Sequence, residues 1–212
     1  MALKDQLDKK KKKLDTFLPG FLNKKMYDAI EEERNKGIEL NAKGVGDIFD
    51  NSTLLNTSSE EADLYELLDG HKAIISFYRG SWCPYCNLEL RAYEALLNEE
   101  ENKDVLMFAI SPEKPDVTLK KQDIDKLNFK VLSDPNNKLA EKLHLVFHLN
   151  KDLHKLYGSS VRKSTGTDEE NLPIPATYVI DSEKKIVNAW IDADYKKRGE
   201  PEDVLRAYRD AK

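Results

Sequence analysis

The chain begins with a helical rhythm. Leu3, Leu7, Leu14, Phe17 and Leu18 fall on one side of a first amphipathic helix, which Pro19-Gly20 ends. Phe21, Leu22, Met26, Tyr27 and Ile30 repeat the pattern in a second helix running to Lys36-Gly37. Residues 1–42 therefore read as a helical arm, able to fold back on its own domain or to hold a homodimer; the spacing favours neither. Residues 43–212 read as the main domain. Gly44 to Asp63 is polar and turn-rich, a loop with Thr53-Leu54-Leu55 as its one short strand. Asp63 is placed to cap a short helix through Leu68 that Gly70 closes. A β-prone apolar run predicts a strand over 72–78. Leu88, Leu90, Tyr93, Leu96 and Leu97 then predict a helix to about residue 98. Strands over 105–110 and 129–132 alternate with helices over 117–127 and 137–143. From 145 to 173 the pattern weakens, and Gly158, Ser159, Ser160 and S-T-G-T-D-E-E-N predict a long irregular insertion. Strands over 177–180 and 185–191 form a hairpin, and a helix over 200–211 opens with Pro201. The order β-α-β-α-β-α-β-β-α predicts a parallel α/β core.

Composition narrows the class. At 212 residues the chain suffices for one core with an extension. It is 40% hydrophobic and 34% charged, as in a soluble globular protein, and no apolar run approaches the ~20 residues of a membrane span. No membrane partner is expected. M-A-L-K-D-Q-L-D-K-K has no apolar signal region, which predicts a cytoplasmic protein whose thiols are kept reduced. A net charge of −5 argues against nucleic acid as a partner. The run Lys9 to Lys13 reads as a solvated helix face.

The chemistry is concentrated in S-F-Y-R-G-S-W-C-P-Y-C-N-L-E-L, which holds the only two cysteines, Cys83 and Cys86, at a strand-to-helix turn. A thiol there faces unpaired backbone N–H groups and the positive end of the helix dipole, both of which favour thiolate. Arg79 is a fixed cation nearby, and Pro84 suits the first helical position. Such a pair beside a βα pattern reads as a redox couple rather than a structural bridge. Two other readings compete. The cysteines could be inert core residues, or they could bind zinc with His144 and His148, spaced four apart, as further ligands. Arg79 could equally be a surface charge.

The segments F-Y-R-G-S-W-C-P-Y-C-N-L-E-L-R-A, A-I-S-P-E, V-L-S-D, L-P-I-P-A-T-Y-V-I-D and D-A-D-Y-K-K-R-G-E-P, in this order, resemble the AhpC/TSA peroxiredoxin-like proteins that carry a thioredoxin-type C-x-x-C. The resemblance runs from about Val45 to the C-terminus. It implies a thioredoxin-like fold, three-layer αβα with a mixed central sheet. It also implies a thiol-based antioxidant oxidoreductase that cycles Cys83 and Cys86 between dithiol and disulfide without metal or organic cofactor. A thioredoxin-like or other dithiol would be the reductant, and a peroxide or a disulfide the substrate. Against the peroxiredoxin pattern P-x-x-x-T-x-x-C, Arg79 stands at the Pro position, Cys83 at the Thr position and Cys86 at the peroxidatic position. The usual arginine position falls on Pro175, while Glu89 matches a family glutamate. Against thioredoxin, Trp82, Cys83 and Cys86 match W-C-x-x-C, Ile174-Pro175 matches the cis-proline pair, and Ser76 replaces a buried aspartate.

Two mechanisms follow from the resemblance. In one, the more exposed Cys83 attacks a disulfide and Cys86 resolves, with Arg79, Trp82, Pro84, Tyr85, Ile174 and Pro175 as the substrate-binding set. In the other, Cys86 is peroxidatic and Cys83 resolving. A non-enzymatic alternative is a redox sensor or scaffold whose arm binds a partner. Asp194, Tyr195 and Arg198 belong to the family-like D-Y-x-x-R stretch without an evident chemical role.

Overall fold

The computed structural model describes residues 1–115, 127–168 and 170–212. At its centre is a strand, Ala73–Phe77, buried at all five positions. A strand covered on both faces shows no polar alternation, which is why A-I-I-S-F reads as a plain apolar run. In chain order the strands are β1 (Thr53–Leu55), β2 (Glu61–Asp63), β3 (Ala73–Phe77), β4 (Met107–Ser111), β5 (Lys130–Ser133), β6 (Val146–His148), β7 (Asn171–Pro173), β8 (Ala176–Ile180) and β9 (Ile186–Ile191). Seven of them form one sheet in the order β2-β1-β5-β4-β3-β8-β9. β3, β4 and β5 are mutually parallel, whereas β8, β9, β1 and β2 pair antiparallel, so the sheet is mixed rather than wholly parallel.

Register sorts the side chains into layers. Ser76 lies opposite Thr177 and Ile75 opposite Tyr178, and successive residues of a strand point to opposite faces. Ser76 and Thr177 turn towards the helix that follows β3, where Thr177 Oγ1 meets Glu89 at 3.4 Å. Phe77 and Tyr178 turn to the other face and cluster with Phe49, ring centroids 5.5 to 6.4 Å apart.

The helices are α1 (Leu3–Phe17), α2 (Gly20–Asn35), α3 (Ile38–Asn41), α4 (Leu64–Leu68), α5 (Pro84–Leu97), α6 (Lys138–Lys142), a run α7 made of Lys151–Leu153, His154–Gly158 and Ser159–Thr165, and α8 (Pro201–Asp210). Asp63 caps α4 by accepting from Glu66 N. The arm folds back on its own chain: α1 lies along α5, α2 lies against the start of α7, and Leu3, Leu7 and Ile30 join the core. Both oxygens of Glu200 accept from the first amides of α1, Leu3 N at 3.0 Å and Lys4 N at 2.6 Å, a carboxylate at the positive end of the helix.

The insertion departs from expectation. Instead of an irregular loop, β6 and β7 pair antiparallel and α7 spans the interval between them. Its buried anchors, Leu153, Val161 and Leu172, form a second small apolar cluster with Ala29 of α2 and Leu149. Strands of three residues carry too little periodicity to be read, and β7 includes Pro173. Of the helix expected over 117–127, residues 117–126 lie outside the described residues. No helix of the described residues is long and apolar enough to cross a membrane.

Candidate active site

β3 delivers the chain to a turn, and α5 begins immediately after it. Gly80 sits at φ +139, a conformation glycine adopts at no steric cost, and Cys83 N donates to Gly80 O at 3.0 Å. Cys83 is the N-cap of α5 with Pro84 at the first helical position; Asn87 N donates to Cys83 O at 3.1 Å, and no side chain caps the end. The unpaired amides of the first turn therefore face the sulfurs. Cys86 lies one turn in. Both thiols are free and fully buried, which corrects the expectation of an exposed Cys83. Nearby, Met26, Ala29 and Ile30 of α2 and Leu153 and Tyr157 of α7 wall a narrow apolar cleft that reaches Arg79 and Pro175.

Arg79 is no surface charge. Its side chain is buried, Nη2 donates to Cys83 Sγ at 3.2 Å, and the guanidinium carbon lies 4.0 Å from the Tyr195 ring centroid, 5.2 Å from Trp82 and 5.7 Å from Tyr157. Cation–π contact replaces a carboxylate partner. Trp82 stacks on Tyr157 and Tyr85 meets Tyr195 edge-on, so the rings hold one another. Ile174 and Pro175 are buried beside this group. The Ile174–Pro175 bond is trans, and no cis peptide occurs among the described residues, contrary to the thioredoxin-like expectation. The backbone passes almost directly from β7 to β8, with Ile174 N donating to Leu145 O at 2.8 Å, and so takes the isomer that X–Pro bonds ordinarily prefer.

A second guanidinium reaches the pair from the D-Y-x-x-R stretch, for which the residue pattern indicates no chemical role. Arg198 Nε meets Glu89 Oε2 at 2.5 Å in a buried ion pair, Nη1 donates to Tyr195 O at 2.6 Å, and Nη2 lies 3.5 Å from Cys86 Sγ. This guanidinium comes from the loop before α8, whereas the usual arginine position is held by Pro175. Asp192, Ala193 and Tyr195 also tie this loop to the arm: Arg34 Nη2 donates to Asp192 at 2.6 Å, Ala193 N to Glu39 at 2.6 Å, and Tyr195 Oη lies 4.0 Å from Met26 Sδ.

These contacts divide the two sulfurs. Burial alone would push the Cys83 thiol up, but the hydrogen bond from Cys86 and the charges of Arg79 and Arg198 outweigh it and hold Cys83 well below the ordinary thiol range. Burial pushes Cys86 well above that range, and the neighbouring Cys83 thiolate adds to the effect. Burial also raises Glu89, against the opposing pull of Arg198. A low thiol next to a high one is the arrangement of a nucleophile with a proton-bearing resolving partner.

Of the other residues singled out, His148 Nδ1 contacts Asn171 Oδ1 at 2.7 Å, and His144 lies in a left-handed turn. Among the described residues no group of three or more metal-ligating side chains comes together. Tyr157 and Arg198 escaped sequence reasoning because nothing local signals that distant residues converge on Cys83; the aromatic D-Y-x-x-R stretch was the one available hint.

The chain has relatives of known family and fold. The AhpC/TSA family matches residues 45–189. The protein assigned as peroxiredoxin bcp in Helicobacter pylori is 26% identical over 163 residues, 77% of this chain and 96% of that protein. Among solved structures, peroxidoxin BcpB of Mycobacterium tuberculosis superposes with a TM-score of 0.60 at 17% identity, covering 80% of this chain and 98% of its own. A Xanthomonas campestris bacterioferritin comigratory protein, described for alkyl peroxide reduction, has a TM-score of 0.58 at 20% identity, with 79% and 98% covered. The chain belongs to the AhpC/TSA family and is a thiol-based oxidoreductase of the peroxiredoxin-like group, built on a thioredoxin-like fold.

Proposed function

We propose that this protein is a hydroperoxide reductase in which Cys83 attacks and Cys86 resolves. The observation that carries the reading is the unequal treatment of the two sulfurs. Arg79 meets Cys83 Sγ at 3.2 Å with rings rather than a carboxylate around it, whereas the guanidinium near Cys86 is already claimed by Glu89. This reverses the order given by the peroxiredoxin register, in which Cys86 would attack. The Cys83 thiolate displaces alkoxide from the hydroperoxide, the O–O bond breaks, and Cys83 becomes a sulfenic acid as the alkoxide takes up a proton. The Cys86 thiol then displaces water from the sulfenic sulfur, forming the Cys83–Cys86 disulfide, and an external dithiol returns both electrons.

Arg79 would act as the electrophilic group that the missing Thr and Arg normally provide. Its Nε is buried without a hydrogen-bond partner among the described residues, and so is Trp82 Nε1. A peroxide oxygen is an acceptor that suits such donors. Substrate size supports the same reading, since a small hydroperoxide can pass the cleft beneath α2 while the disulfide of a folded protein would need the arm to move. Tyr85, Ile174 and Pro175 would shape the floor and walls, and Pro84 would set the helix start. A thioredoxin-like reductant and a reducing, cytoplasmic setting fit a resting dithiol. A homodimer contact would form at the outer corner of the arm, where Phe17 and Phe21 are exposed.

The test is a comparison of Cys83→Ser and Cys86→Ser under stoichiometric hydrogen peroxide. Cys86→Ser should consume peroxide at the wild-type rate and accumulate sulfenic acid, while Cys83→Ser should react no faster than a free thiol. The opposite pattern restores Cys86 as the attacking sulfur. Faster oxidation of the wild type by a protein disulfide than by any hydroperoxide would move the function to disulfide reduction.

A further inference from the structure

The turn that carries Cys83 is gripped from behind by a carboxylate that the mechanism above does not use. Glu113, in the loop after β4, is fully buried. Its Oε2 accepts from Ser81 N at 2.7 Å and its Oε1 from Ser81 Oγ at 3.0 Å, two residues before the nucleophile. Its own backbone is tied to the sheet: Glu113 N donates to Ser111 Oγ, and Glu113 O accepts from Ser133 Oγ at 2.5 Å. The far side of the turn is tied as well, with Asn87 Nδ2 donating to Ser81 O at 2.8 Å. A methyl group at Gly80 would fall 2.8 Å from Glu113 Oε1 and 2.6 Å from Trp82 Nε1, so the absent side chain lets carboxylate and indole close in on the turn.

We propose that Glu113 is a positioning residue for Cys83, and that its protonation state, separately from that of the thiol, sets the rate at which Cys83 attacks. The inference rests on Cys83 being the attacking sulfur. As an anion Glu113 accepts both Ser81 hydrogen bonds; protonation of one oxygen weakens that grip. Ionisation of Glu113 also places a second negative charge near the thiolate, which makes the sulfur more basic and hence more nucleophilic. Among the described residues the ionisable groups that act on the carboxylate are the Cys83 thiol and the Tyr78 hydroxyl, and burial holds Tyr78 neutral. Lys114 turns its ammonium towards Gly166, and Asp134 spends its carboxylate on the amides of Leu139 and Ala140. Burial raises Glu113 to about 7 against the pull of its two Ser81 bonds, with the Cys83 thiolate pushing the same way as burial. The carboxyl therefore changes charge near neutrality, while the two arginines hold the Cys83 thiol below the ordinary thiol range.

The experiment is the rate of iodoacetamide alkylation against pH, in full-length Cys86→Ser protein so that only Cys83 reports. Two rises are expected: one where Cys83 ionises, and a second near neutrality of about threefold for each unit of added thiolate basicity. Glu113→Gln should retain the first rise and lose the second. Ser81→Ala, which keeps the carboxyl but removes one bond to its anion, should retain both and move the second to higher pH. A single rise in the parent, or a second rise that survives Glu113→Gln, overturns the role of Glu113 and leaves Cys83 as nucleophile. If Cys83 ionises as an ordinary or raised thiol, the Cys83 assignment fails first and this inference with it. Should Glu113→Gln not fold, the displaced second rise in Ser81→Ala decides.

Discussion

Arg198 and Glu89 form an ion pair at 2.5 Å in which both side chains are almost wholly buried, and this pair stands between the cysteine helix and the loop that binds the arm. Breaking such a pair leaves a charge without compensation, at a cost of about 3–5 kcal/mol. Arg198→Met should therefore lower the unfolding free energy by about that amount at neutral pH. The loss should shrink in acid, where Glu89 can take a proton, and the double variant with Glu89→Leu should recover most of it. Denaturant titrations at two pH values check this. Equal losses in the single and double variants would show that the pairing itself contributes little.

Arg79→Met removes the cation at Cys83. Without it burial is opposed only by the Cys86 hydrogen bond and Arg198, and the thiol moves up towards its ordinary pKa of about 8.5, where only a few per cent is ionised at neutral pH. Reaction of Cys83 with hydrogen peroxide at neutral pH should fall at least about tenfold. Ultraviolet thiolate absorbance against pH should show the ionisation moving up. Arg79→Lys should rescue only part of the loss, because an ammonium lacks the planar face that packs among the three rings.

Glu113 also bears on stability. Its folded-state pKa of about 7 lies above the unfolded value of about 4.3. Between these values the folded chain binds the proton and the unfolded chain does not, so stability falls as pH rises through that window. The full effect is about 4 kcal/mol as an order of magnitude. Relative to wild type, Glu113→Gln should gain stability from about pH 4.5 to 7. Paired melting curves of the reduced proteins measure it, and a pH-independent difference would rule it out.

The arm lies over the entrance to the Arg79 cleft. Met26 and Ile30 wall the cleft, Tyr195 Oη lies 4.0 Å from Met26 Sδ, and Lys196 packs over the Tyr27 ring at 4.5 Å. Tyr27→Ala combined with Met26→Ala should speed modification of Cys83 by a bulky aromatic disulfide several-fold while leaving the hydrogen peroxide rate nearly unchanged. A parallel increase for both reagents would mean that size is not what the arm selects.

Sequence pattern recovered what is local. A-I-I-S-F, the helix after Cys83, the cap at Asp63 and the folding-back or pairing potential of the arm all follow from neighbours within a few residues of one another. It missed β2, β6 and β7, where three residues cannot show a period and E-A-D and N-L-P lack strand composition. It could not decide between a surface and a core Arg79, because charged side chains are rarely buried and the rings that bury this one lie at Trp82, Tyr157 and Tyr195. Arg198 was visible only as part of a stretch without a role, since its partner Glu89 is 109 residues away. Contacts of that separation are made by topology, and no spacing rule encodes them.

The ring cage around Arg79 has a consequence for the oxidised protein. When Cys83 enters a disulfide it surrenders its charge, and the guanidinium is left in a low-dielectric site facing only aromatic faces. The oxidised state bears that penalty and the reduced state does not. Every 1.4 kcal/mol of it raises the couple by about 30 mV. The group that sharpens the thiolate for attack therefore also makes the disulfide electron-hungry, so that a mild dithiol suffices to reduce it.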